Sequence, residues 1–151
     1  MPPEVVGEPL ACTIGFWKNR ADGKQGTLQW FPNGDFDAVV NAAVALSSGI
    51  FTDAADLLFY LQSKGPRSIL VRGKQQLAAT LLNLAAGDLF PDNQKCKLFE
   101  GNQITSNACG TGITVGVGVN YGKVDILGTD AEQHEAHDCF DDLNNGIGVV
   151  Q

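Results

Sequence analysis

The apolar positions divide the chain into a helical first part, a short stretch of alternation and a closing helix. From Asp35 to Ser48, Phe36, Val39, Val40, Ala43 and Val44 fall at i, i+3, i+4, i+7 and i+8. That is the single stripe of an amphipathic helix, and Gly49 marks its stop. Thr52 offers an N-cap to a second helix, with Asp53 and Asp56 in its first turn, Leu57, Leu58 and Leu61 on its buried face, and Gly65-Pro66 at its end. A third helix is predicted from about Ser68 to Ala86, with Leu70, Gly73, Leu77, Leu81 and Leu84 on one face and Gly87 at the stop. Gly73 weakens it by roughly 1 kcal/mol unless a neighbouring backbone packs there.

The period then switches. Ile113, Val115, Val117, Val119 and Tyr121 alternate with Thr114, Gly116, Gly118, Asn120 and Gly122, which predicts a strand with one apolar and one small face. Residues 124 to 127 suggest a second short strand after a turn near Gly122. Thr129 and Glu132 form a capping-box pair for a last helix, whose stripe is Ala136, Cys139, Phe140 and Leu143 and whose end is Asn145-Gly146. The aromatic, glycine-punctuated segment 12–34 reads as an ordered loop clamped onto the helices, and 88–111 as a loop rich in Asp, Asn and Gly. The expected fold is α+β: a helical core of about four helices with a small two- to three-stranded antiparallel β element, disulfide-stapled. Residues 1–11, with three prolines, read as an extended arm or linker, and 12–151 as one α+β domain. The inward stripes predict a core of Phe36, Val40, Val44, Leu57, Leu61, Leu77, Leu81 and Phe140.

Four cysteines, Cys12, Cys96, Cys109 and Cys139, contain no Cys-x-x-Cys pair, which argues against a zinc ribbon or a thioredoxin-type site. An even, scattered set suggests two disulfides, although four reduced core thiols fit the same count. Three pairings are open. The one favoured here joins Cys96 to Cys109 within the loop and Cys12 to Cys139 between the aromatic segment and the last helix, because each bridge then serves a part that lacks a core. Few Lys and Arg beside many Asn, Thr, Gly and Ser tilt the reading towards export. Ten basic against seventeen acidic residues leave a net charge of −7, so nucleic acid and anionic membrane surfaces are poor partners. No apolar run approaches the ~20 residues needed to cross a bilayer, so no membrane insertion is expected.

The run Cys12-Thr13-Ile14-Gly15-Phe16-Trp17-Lys18-Asn19 resembles the opening of a family of bacterial and archaeal secreted surface modules, which begin Cys-Thr and continue Gly-Tyr-Trp-Lys. The stretch from Leu77 to Gly87 is similar to that family's helix ending in Leu-x-Ala-Ala-x-Leu-Asn-x-Ala-x-Gly, and Leu143-Asn144-Asn145-Gly146 to its closing Leu-x-x-Tyr-Asn-x-Gly. The resemblance implies an exported module of multidomain or cell-surface proteins with no established enzymatic activity. Phe16 replaces the family's Tyr, its Gly-Pro-Gly-His-Cys ending is absent after Gly146, and the segment from Thr111 to Leu127 has no counterpart.

Four sets of residues could carry chemistry. His134 and His137, at i and i+3 on the last helix, could offer two imidazoles to a metal with Asp138 or Asp141, but the spacing is not His-Glu-x-x-His, and solvated i, i+4 pairs explain the same residues. Calcium would suit the oxygens of Asp88, Asp92, Asn93 and the Asp130–Asp142 cluster, where ordinary acidity is the simpler reading. Trp17 and Trp30 could form a platform for stacking a sugar ring, against a plain core role. The glycine string from Gly110 to Gly116 opens a predicted strand rather than a helix, so it is no phosphate loop.

No catalytic constellation is recognisable, and the chain reads as a non-catalytic extracellular structural, adhesion or self-assembly module without a cofactor. A carbohydrate- or metal-ion-binding module is the alternative. The expected partners are protein, including another copy through pairing of the strand Ile113, Val115, Val117, Val119 and Tyr121, or a cell-surface glycan.

Overall fold

The computed structural model describes residues 10–150, so the predicted arm lies outside the described residues except for Leu10 and Ala11. Among the described residues the order is α1 (Ile14–Ala21), α2 (Gln25–Leu28), α3 (Asn33–Leu46), α4 (Ala54–Leu61), α5 (Ile69–Leu89), β1 (Gln103–Ile104), β2 (Ile113–Thr114), α6 (Val115–Asp125), α7 (Asp130–Asn144) and β3 (Val149–Val150). The class is α+β, with seven helices rather than about four, and a three-stranded antiparallel sheet of order β2-β1-β3. The additional helices are α1 and α2, wound from the aromatic segment expected as a loop, and α6.

Helix α5 is the axis. Every residue from Leu77 to Gly87 is buried, as befits a helix whose apolar surface runs all the way round. Helices α1, α3, α4 and α7 pack against it. Gly87 does not stop it. A Cβ there would stand 2.7 Å from the Leu98 carbonyl oxygen, so the glycine serves close approach of the returning chain and the helix runs on to Leu89. Beside Gly73 the space is filled by Ile126. The predicted core holds: Phe36, Val40, Leu57, Leu61, Leu77, Leu81 and Phe140 are buried, and Val44 is partly buried against them.

Capping follows sequence chemistry to within a residue. The cap of α4 is Asp53, whose carboxylate accepts from the Asp56 N–H at 2.8 Å, while the Asp56 carboxylate accepts from the N–H of the expected cap Thr52 at 3.0 Å. Ser68 caps α5, and Thr129 and Glu132 form the full reciprocal box at α7.

The largest departure lies in the alternating segment. Only Ile113 and Thr114 are strand. The Thr114 hydroxyl accepts from the Val117 N–H at 3.3 Å and α6 begins. Val115, Val117, Val119 and Tyr121 are therefore helical, not an assembly strand, and residues 124–127 form the last turn of α6 and the turn beyond. Wound as a helix, the segment buries Val115, Gly118, Val119 and Gly122. Valine alternating with glycine satisfies either period, and packing against α7 decides between them. A Cβ on Gly122 would lie 2.7 Å from Phe140 Cε1, so a bare backbone is what lets α6 reach α7.

Two disulfides are present, but with other partners than expected: Cys12 with Cys96, and Cys109 with Cys139. Each fixes one end of the loop-rich stretch between α5 and α6 to a different element, the first to the chain just before α1 and the second to α7. A bridge within that stretch would have closed the loop on itself without anchoring it.

Truncating Leu81 to alanine is expected to cost ~2–5 kcal/mol of unfolding free energy in urea titration, the range for an enclosed leucine. The bridges close loops of different length, with separations of 84 and 30 residues. Replacing the Cys12–Cys96 pair by serines is therefore expected to destabilise by about 1 kcal/mol more than replacing the Cys109–Cys139 pair, from chain entropy alone.

Candidate functional site

The two tryptophans do not form one platform. Trp17 is 0% exposed, with Phe31 at 5.3 Å and Phe36 at 6.4 Å between ring centroids. Trp30 is only half-buried, and the aromatic ring it shares a cation with is Phe16: the Lys95 ammonium sits 4.8 Å from the Trp30 ring and 5.0 Å from the Phe16 ring.

The indole N–H of Trp17 points instead into a buried amide cluster. Asn83 Oδ1 accepts from the Cys12 N–H at 2.8 Å and from Trp17 Nε1 at 3.4 Å, while its Nδ2 donates to the Cys12 carbonyl at 2.8 Å and to Asn144 Oδ1 at 3.1 Å. Asn144 Oδ1 also accepts from the Thr80 hydroxyl at 3.0 Å, and its Nδ2 donates to the Gln76 carbonyl and to Gln76 Oε1 at 3.0 and 2.9 Å. Both asparagines are buried, and each makes the four hydrogen bonds its amide allows. Sequence reasoning passed over them. The available signal was a polar residue inside the apolar run Leu81-Leu82-Asn83-Leu84, which only a satisfied amide can occupy.

The donors on α7 do not converge. His134 Nε2 lies 3.7 Å from Asp130, and His137 Nδ1 lies 3.0 Å from Asp138. Asp141 Oδ1 accepts from Gln76 Nε2 and Asn145 Nδ2 at 3.2 and 3.1 Å. In the loop after α5, Asn93 Nδ2 donates to the Trp30 carbonyl, while Asp88 and Asp92 are exposed. Among the described residues no group of three His, Cys, Asp or Glu side chains is placed to hold a metal ion.

The surface of α6 is different in kind. Val117 is 39% exposed, Tyr121 61% and Val124 70%, at i, i+4 and i+7 along its outer side, and Leu127 follows at 67%. Val124 stands between two clefts. One, of about 450 Å³, runs between α6, α7 and the loop of Cys109, with Tyr121, Asp125 and Glu135 on its walls. The other, of about 480 Å³, lies towards Ser48 and Ile50, with Lys123 and Leu127 on its walls. The Lys123 ammonium donates to the Leu46 carbonyl and to the Ser48 hydroxyl, each at 3.0 Å. Of the residues expected in an assembly strand, the structure thus brings Val117 and Tyr121 to a surface and buries Val115 and Val119.

Burial raises the pKa of the Asp125 carboxyl above the usual range, reinforced by repulsion from Glu132 and Glu135 and by a hydrogen bond with Glu132. Comparisons with protein-family models, with curated proteins and with solved structures return no match.

Two outcomes follow from this geometry. Asn83→Ala leaves the Cys12 N–H and carbonyl and the Trp17 indole N–H without buried partners, and is expected to cost about 3 kcal/mol or more in urea unfolding. A loss under about 1 kcal/mol would show that water replaces the amide. An acid whose folded pKa exceeds its unfolded one destabilises the fold above the folded pKa, and the penalty fades as pH falls through it. Asp125→Asn is accordingly expected to melt higher than the parent at pH 7, with the two melting temperatures converging in acid.

Proposed function

We propose that this chain is a non-catalytic extracellular module, structural or adhesive in role, which works by presenting the outer face of α6 to a protein partner. The carrying observation is the ridge Val117, Tyr121, Val124 and Leu127, apolar and contiguous on an otherwise acidic chain. A patch of this kind marks contact with another macromolecule more often than a scatter of single apolar residues does. Two disulfides suit an oxidising compartment, and no helix among the described residues is long and apolar enough to cross a membrane. The resemblance to secreted surface modules implies the same reading, and the stretches that carry it meet in one hydrogen-bonded cluster through Cys12 and Trp17, Asn83, and Asn144.

A photo-crosslinking amino acid at position 121, in the full chain within the cells that make it, is expected to capture protein, while the same probe at exposed Ala38 is not. Equal capture at both positions, or none at 121, sinks this reading.

A second reading, glycan recognition, draws on the partly buried pair Phe16 and Trp30 with Lys95 between them, a stacking surface with a cation suited to an acidic sugar. Titration with uronate oligosaccharides is expected to perturb the fluorescence of the parent and not that of Trp30→Ala.

A further inference from the structure

We propose that the partner on the outer face of α6 is a second copy of this chain, packed with the two α6 helices parallel about a two-fold axis that runs along them. This rests on the reading of α6 as the working surface and names its occupant.

The shape is self-complementary. A ridge at i, i+4 and i+7 with a cleft on each flank matches a second such ridge, because the ridge of one copy enters a cleft of the other and receives the other's ridge in return. Tyr121 and Leu127 are side chains of a size such clefts accommodate.

Charge selects the orientation. One flank of the ridge carries Asp125 and Glu135, the other Lys123. Rotation about an axis parallel to the helices sets the left flank of one copy against the right flank of the other, so each Lys123 faces the carboxylates of the second copy. An antiparallel pair would set like flanks together, carboxylates against carboxylates. The Lys123 ammonium has three protons, of which Leu46 and Ser48 engage two, leaving one for a carboxylate across the contact. Neutralising Asp125 and Glu135 this way also relieves the repulsion that Glu132 and Glu135 exert on Asp125. Elsewhere a chain of net charge −7 repels its own kind, which confines the contact to this face.

The test is the mass of the purified, disulfide-intact full chain by light scattering over a concentration series at low and high salt. The expected result is a dimer that weakens with salt. Val124→Glu should be monomeric with unchanged circular dichroism. Glu135→Lys, which touches an exposed side chain, should weaken the dimer roughly tenfold or more. A full chain that stays monomeric at the highest concentrations reached, or a dimer indifferent to Val124→Glu, overturns the proposal. So does a monomer that dimerises only after residues 1–9 are removed, since the chain's own first residues would then be the occupant. Capture at position 121 in cells by a chain that is monomeric when pure overturns the second copy alone and leaves the protein-contact reading standing.

Discussion

The fold depends on one side-chain amide. Asn83 sits in the middle of α5, fully enclosed, and treats Cys12 as a neighbouring strand would, accepting from its N–H and donating to its carbonyl. An extended segment with no sheet beside it must otherwise bury two unpaired backbone groups, a penalty of about 1–3 kcal/mol each. Asn83 removes that penalty at the point where the first disulfide joins, and extends through Asn144 to α7. Three segments distant in sequence are thereby fixed in register by groups whose hydrogen-bonding capacity is fully used, which a purely apolar contact does not do.

Close approach is the second constraint, and it explains why the glycines resist reading as turns. At Gly87 and Gly122 a single methyl group would meet the Leu98 backbone or the Phe140 ring. The first glycine lets the chain after α5 fold back on the helix it has just left. The second lets α6 settle on α7, where the Cys109–Cys139 bridge holds the loop that precedes α6. The loop-rich middle of the chain has little core of its own, contributing Cys96, Leu98 and Ile104, and is held by bridges and glycine-mediated contacts instead.

These two constraints mark where the sequence was legible. The stripes of α3, α4, α5 and α7 could be read because each helix buries one face, or in α5 all faces, with Leu, Val and Phe at helical spacing. The capping residues could be read because their chemistry is local. Segment 113–125 could not, because valines every second residue satisfy a strand as well as a helix that is apolar on two sides. Thr114 as an N-cap was the one local clue to the helix. The disulfide partners depend on which distant elements meet, and spacing along the chain carries no such information. The core role of Trp17 holds although α1 was not foreseen: helical winding turns it inward against Phe31 and Phe36.

The two sides of α6 differ in what they contribute to the fold. Its inner side, with Val115, Gly118, Val119 and Gly122, is complete: it packs on α7, and its glycines admit Phe140 and Ile104. Nothing in that packing calls for valine at 117 and 124 or tyrosine at 121. A solvated helix face of this length would ordinarily carry Lys, Glu or Gln, which have higher helix propensity than Val or Tyr. The exposed Phe59 of α4, by contrast, lies edge-on against Tyr60 and belongs to no comparable row. Val117, Tyr121 and Val124 therefore lower the intrinsic stability of their helix and raise its exposed apolar area with no return inside the described fold. In the proposed contact with a second copy that composition becomes favourable, and the opposite charges on the two flanks of the ridge give the contact a direction.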